Sequence, residues 1–414
     1  MFSEQKNERN SDRKIDRKNL YYFSMFFLLY ELTIYLSNDM IMPGMLQVVN
    51  DFNASKESIA LSLSLYILGG SMLQIFLGPI ADRVGKRKVM LAGNAMFLVA
   101  TLCIPFASSI EQFLAARFFQ GMGSCFIFIG YAMVHELFDD AEAVKLTTIL
   151  SNAGIFAPLI GPVIGSVIVS QLHWQYVFIV SLLLGVITFA GLFRFMPVGK
   201  PSSHQFNFKS IKQSYLKIFR NKQFMVGILI AGAAITPLTA WIGLSPVIVM
   251  DHMQRSYGTY IAYQCIIFSG FILSTIAVQK LANNLSLKKM IQQGAWISLA
   301  GMSGFGLAYQ YSELFILGMF IFSFGFGLFN GGLIRLAMIA TGESMSLTSS
   351  AMSLLYCIYI SIGLEVYNLV GERFSYSLAS YALVNVPLGV VVFLSLMRFV
   401  KTHEADQPAL AAST

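Results

Sequence analysis

Hydrophobic residues in this chain gather into twelve runs, each long enough to cross a bilayer as a helix and separated from the next by a short polar stretch. They fall at residues 20–49, 58–80, 88–108, 112–137, 145–171, 175–197, 223–250, 258–281, 289–309, 313–340, 346–371 and 376–399. The pattern predicts an all-α membrane protein with twelve transmembrane helices. Its longest polar connection, 198–222, leaves two six-helix halves of nearly equal length, 20–197 and 223–399, flanked by tails 1–19 and 400–414. Two such pseudo-symmetric halves suit a transporter that rocks one half against the other around a site near the midplane.

Composition agrees: 56% of residues are hydrophobic, only 12% are charged, and mean hydropathy is +0.66, too little polar surface for a soluble chain of 414 residues. The formal net charge of +7 would suggest nucleic acid in a soluble domain. Its distribution excludes that reading. One set of alternate loops holds Lys56, Arg255 and Arg373, whereas the inner segments, counting the tails and the run ends beside the other set of loops, hold 24 of the 28 bases, and Arg117 lies within the fourth run. Basic loops stay on the inner side, so both termini are expected in the cytoplasm and the bilayer is the obligatory partner. The first run is too long for a signal-peptide core and is expected to remain in the mature protein. Connection 198–222 carries six bases and no acid, and its basic amphipathic part, Phe208 to Phe219, either lies on an anionic leaflet or serves as a solvated tether.

The first run breaks the apolar pattern with two acids, Glu31 and Asp39. Each costs a few kcal/mol near the centre of a spanning helix. Eight residues separate them, about 12 Å along a helix and about 80° around it, so both can face one cavity at different depths. Tyr30, Tyr35, Ser37 and Asn38 lie beside them, and Pro43-Gly44 interrupts the helix just beyond. The pattern fits a proton or cation site inside the bilayer; a buried structural acid paired with a base is the plain alternative. Burial favours the neutral acid and a nearby guanidinium favours the carboxylate, and this balance decides when Asp39 holds its proton.

Between the second and third runs stands Gly78-Pro79-Ile80-Ala81-Asp82-Arg83-Val84-Gly85-Lys86-Arg87-Lys88. It resembles the loop signature of the major facilitator superfamily, which implies the major facilitator fold. Gly78 is expected to allow close helix approach, Gly85 a tight turn, and Asp82 with Arg83 and Arg87 to lock neighbouring helix ends. The matching run in the second half, Gln279 to Met290, lacks the aspartate and both glycines. Leu114, Arg117, Gln120, Gly121 and Gly123 are similar to the family pattern that puts an arginine in the cavity; the acids of the first run or main-chain carbonyls beside Asp39 are its expected acceptors. Ala157-Pro158-Leu159-Ile160-Gly161-Pro162-Val163-Ile164-Gly165-Ser166 looks like the signature of the antiporter branch, with small residues four apart for close packing and prolines to bend the helix.

With these in place, Leu29-Tyr30-Glu31, Tyr35, Asn38-Asp39-Met40-Ile41 and Pro43-Gly44-Met45 resemble the proton-coupled multidrug exporters of the superfamily. That resemblance implies export of lipophilic cationic and neutral drugs in exchange for protons across the bacterial inner membrane, with Asp39 as proton site, Glu31 recognising cations and Arg117 tuning the coupling. It also suggests cavity positions at Leu238 and Trp241 in the seventh run and at Tyr260, Gln264 and Phe268 in the eighth. The proton gradient serves as energy source, so no cofactor or metal is expected, and a monomer suffices. Glu365 stays open between a second-half cavity role, a pair with Arg335 and a helix end. No nucleophile with a base and no phosphate loop is visible, which argues against an enzyme. A substrate-specific exporter or an uptake carrier for a siderophore, sugar or amino acid is the competing function.

Overall fold

The computed structural model describes residues 17–198, 208–281 and 285–411, and every regular element among them is helical. Most of the expected N-terminal tail, the Ser-rich start of the connection and residues 412–414 lie outside the described residues. In chain order the helices are α1 (Arg17–Asp39), α2 (Glu57–Met72, continued by Gln74–Val84), α3 (Lys86–Cys103), α4 (Ile110–Gly121, continued by Ile127–Leu137), α5 (Asp140–Gln171) and α6 (Gln175–Phe195). After them come α7 (Phe208–Arg220), α8 (Lys222–Ser245), α9 (Tyr257–Leu281), α10 (Leu287–Ala308), α11 (Ser312–Ile339), α12 (Met345–Arg373) and α13 (Leu378–Ala411). All but α7 coincide with the apolar runs. Nine segments among the described residues are long and apolar enough to cross a membrane, and the bent pair in α2 makes a tenth. The last helix passes the expected boundary at 399 and continues to Ala411.

Breaks occur where the sequence removes a backbone donor or a side chain. α1 stops at Asp39, and a 3-10 turn, Met42–Gly44, leads through Pro43 into the short helix Met45–Asp51. Glycines then set how closely helices approach. A Cβ on Gly121 would stand 2.1 Å from the Tyr66 carbonyl oxygen, and one on Gly69 2.2 Å from that of Phe118, so α2 and α4 meet backbone to backbone.

At the α2–α3 turn, Gly85 has φ +102° and ψ 128°, ending one helix and starting the next. Lys86 lies 4.0 Å from Asp82 and pairs with Glu136 of α4, while Arg87 donates to the Phe193 carbonyl of α6 and stacks on its ring. The motif therefore ties helix ends within residues 82–193, and Arg83 is exposed. Gly78 departs from expectation: it is exposed, and a Cβ there would meet nothing within 4 Å among the described residues, so it makes no close helix contact with them. Gly85→Ala is accordingly expected to cost about 1–3 kcal/mol of strain and lower the melting temperature of the purified protein, while Gly78→Ala leaves it unchanged. Equal melting of both variants would contradict the turn's role.

The opposite end of the bundle is closed by contacts between early and late helices. Lys56 pairs with Asp251 at 2.6 Å. The Ser64 hydroxyl donates to Glu365 Oε1 at 2.6 Å, Asn368 donates to Glu365 Oε2 at 3.2 Å and to the Glu57 carbonyl at 3.3 Å, and Ser361 donates to the Ser64 carbonyl at 3.3 Å. Glu365 thus sits at the α2–α12 seam, with Ser64 and Asn368 as its hydrogen-bond partners.

Candidate functional site: a membrane cavity with two carboxyls

A cavity of about 450 Å³ lies between α1, α2, α4, α5, α8 and α12. Its lining runs from Asp39, Asn38, Leu63 and Tyr66 to Glu31, Gln74, Tyr131 and Ser353, toward the end of the bundle that carries the Gly85 turn. Beyond Asp39 the closed α2–α12 seam begins. The cavity is therefore blind at one end.

Both acids of α1 line it and both are nearly buried, Glu31 at 2% exposure and Asp39 at 5%. Glu31 accepts from the Tyr131 hydroxyl, which is 3.1 and 3.2 Å from its two oxygens. Asp39 Oδ1 accepts from Asn38 Nδ2 at 3.0 Å, and Asn38 Oδ1 accepts from Arg117 Nη2 at 2.7 Å. One amide side chain thus joins guanidinium to carboxylate.

Arg117 is fully buried and its remaining needs are met by neutral groups. It donates to Gln120 Oε1 at 2.6 Å and Ser62 Oγ at 3.3 Å, and it stacks with Cζ 4.4 Å from the centre of the Tyr66 ring. Its expected acceptors, the acids of α1 or carbonyls beside Asp39, are replaced by these side chains. No ion pair joins it to Glu31 or Asp39 among the described residues. The physical reason is reach: α2 and α4 are pressed together by Gly69 and Gly121, which brings Tyr66 and Ser62 against the guanidinium before the carboxylates.

The antiporter-like motif of α5 is the surface against which the α1 break rests. A Cβ on Gly161 would lie 2.6 Å from Asp39 Cβ, and one on Gly165 would lie 1.9 Å from the Met40 carbonyl oxygen. Pro158 lines the cavity, while Pro162 is buried beside the glycines. Gly154, one turn earlier, faces the Tyr35 ring.

Of the candidate substrate contacts, Glu31, Tyr35, Asn38 and Asp39 come together here. Leu238, Trp241, Tyr260, Gln264 and Phe268 do not line this cavity; all five are buried. Trp241 packs against Phe315 and Tyr381 at ring distances of 5.9 and 5.8 Å, and Gln264 donates to Ser245 at 2.8 Å. From α8 the cavity instead receives Thr239 and Ile242, each one residue later and so about 100° further round. Sequence reasoning passed over Tyr131, Gln74, Ser353 and Cys357. Tyr131 offered only a hydroxyl in an apolar stretch, a signal that many of the 18 tyrosines share. No group of three or more His, Cys, Asp or Glu side chains among the described residues is placed to hold a metal ion.

A bundle of spanning helices around a blind, acid-lined cavity defines a membrane transporter. The chain belongs to the Major Facilitator Superfamily, whose pattern matches residues 27–364. It is 38% identical over 350 residues to the multidrug transporter MdfA of Yersinia pestis bv. Antiqua (strain Angola), covering 83% of this chain and 86% of that one. It is also 35% identical over 366 residues to the multidrug transporter MdfA of Escherichia coli O157:H7, covering 87% and 89%. Among solved structures it is similar to a D-xylose–proton symporter, with a TM-score of 0.70 and 14% identity over 92% of this chain and 98% of the other. A mutant of the nucleoside transporter NupG gives a TM-score of 0.71 at 13% identity, covering 92% and 99%. These likenesses to solved structures concern the fold alone. The chain is a transporter rather than an enzyme.

Proposed function

We propose that this protein exports lipophilic cationic and neutral drugs in exchange for protons, by alternating access, across the bacterial inner membrane. The observation that carries this reading is the placement of Glu31 and Asp39 in one cavity, with Arg117 linked to Asp39 through Asn38. Two titratable groups in a low-dielectric pocket let a proton and a substrate compete for one cavity state. The similarity to transporters named for multidrug transport supports the choice of substrate class. In this reading both termini are cytoplasmic, the cavity faces the cytoplasm, and the α2–α12 seam with Lys56–Asp251 is the closed outer gate. The monomer is the working unit.

Arg117 and Asn38 hold the Asp39 carboxylate when it is ionised. A proton arriving from outside removes that charge, weakens the Asn38 bond and favours release of the drug. A drug entering from the cytoplasm favours loss of the proton. Neutral drugs compete through this linkage, whereas cations meet Glu31 directly.

Adding such drugs to the purified protein in weakly buffered detergent solution is expected to release protons. Binding of several drug classes without any proton release would overturn the coupling. Glu31→Gln is expected to reduce efflux of cations about tenfold and to spare neutral drugs, because it removes one cavity charge worth roughly 1–2 kcal/mol to a bound cation. A resistance panel in which both classes lose equally would refute that division.

A further inference from the structure

The amphipathic helix α7 takes no part in the exchange described above, and both of its faces are engaged or armed. Its inner face is docked: Tyr215 and Ile218 are buried and the Tyr215 hydroxyl lies 3.5 Å from the Ile75 carbonyl, while the exposed Lys217 at its side pairs with Glu343 at 3.3 Å. Hydrogen bonds from Ser214 and Lys217 hold the Glu343 carboxyl below its ordinary pKa. The helix therefore rests on α2 at one point and on the turn between α11 and α12 at another. A solvated tether would not be fixed in this way.

Its outer face carries Lys212, Leu216 and Arg220, which stand four apart on one stripe and are all exposed. Lys222 is exposed just beyond them. The depth of this stripe follows from the chain itself. Only Asn221 separates Arg220 from Lys222, where the membrane-spanning α8 starts, and Asn221 caps that helix by accepting from the Phe224 N–H at 2.9 Å. Arg220 is thus within one residue of the end of a span, at the level of lipid headgroups. A leucine with 45% of its surface exposed between two bases suits that boundary, where its side chain enters the acyl region and the bases meet phosphates.

We propose that the outer face of α7 is a binding site for anionic phospholipid headgroups of the adjoining leaflet, received by Lys212, Arg220 and Lys222 with Leu216 inserted beneath them. Charge complementarity favours anionic over zwitterionic lipid, since the connection 198–222 holds six bases and no acid and the nearby Glu343 is taken by Lys217. Because the same helix rests on both α2 and the α11–α12 turn, lipid held here anchors the open end of the cavity.

The test uses the full chain in mild detergent, offered equal amounts of phosphatidylglycerol and phosphatidylethanolamine, with native mass spectrometry to count retained lipids. The unmodified protein is expected to prefer phosphatidylglycerol about tenfold, and the triple variant Lys212→Gln, Arg220→Gln, Lys222→Gln to fall near parity. A control variant, Lys280→Gln with Lys289→Gln, removes bases from another turn and is expected to keep the preference. Should the triple variant fail to fold, Lys212→Glu alone, on the exposed stripe, is expected to lower the preference several-fold. Absence of any preference in the unmodified protein, an undiminished preference in a folded α7 variant, or an equal loss in the control would overturn the proposal.

Discussion

Asp39→Asn is expected to abolish drug export driven by a proton gradient while the protein still inserts and melts as before. Asparagine matches aspartate in shape, and its carbonyl oxygen can still accept from Asn38 Nδ2, so the break at the end of α1 keeps its contacts. What disappears is the ionisable carboxyl that the proposed exchange uses to carry a proton. Exchange in inverted vesicles should drop by at least about 100-fold, the scale for losing an essential proton-transfer group. Drug binding to the purified variant should persist, and binding of neutral drugs should lose most of its pH response, while Glu31 keeps a response for cations. Undiminished exchange would remove Asp39 from the mechanism.

Gly165→Ala carries the second large effect, through packing rather than charge. The added methyl would fall 1.9 Å from the Met40 carbonyl oxygen, and that neighbour is backbone, which has no rotamer to change. Either α5 moves away or the α1 break shifts, and Asp39 shifts with it. Overpacking of this kind costs about 1–3 kcal/mol, so a lower melting temperature is expected together with near-complete loss of transport. Gly154→Ala provides the contrast, since its nearest neighbour is the Tyr35 ring at 3.5 Å, an ordinary contact. Full transport by Gly165→Ala at unchanged melting would show that α5 does not set the position of Asp39.

The spans were legible because each must bury its own backbone in a run of apolar side chains, and the two acids of α1 were legible because their cost stands out against that background. Gly85 and the α5 glycines were equally readable, since turn geometry and close packing restrict those positions to small residues. Gly78 was not: the same motif contains it, but the sequence does not say which neighbour it faces. The partners of Arg117 escaped for a different reason. Asn38, Gln120, Ser62 and Tyr66 are neutral, and a guanidinium satisfied by amides and a ring leaves no charge pattern to read. Spacing put Tyr260, Gln264 and Phe268 on one face of α9 but could not say what covers that face. Glu365 meets Ser64 across a separation of 301 residues, for which one chain offers no signal.

Asn38 stands between Arg117 and Asp39, and that spacing gives the cavity a simple electrical sum. The amide passes on orientation without supplying charge, so the net charge here is set by the guanidinium and the two acids alone. With both acids ionised the three side chains total −1, and one proton brings the total to zero. A monovalent drug cation does the same. Swapping one for the other therefore leaves this pocket electrically unchanged, whereas a neutral drug that displaces the proton leaves it one charge more negative.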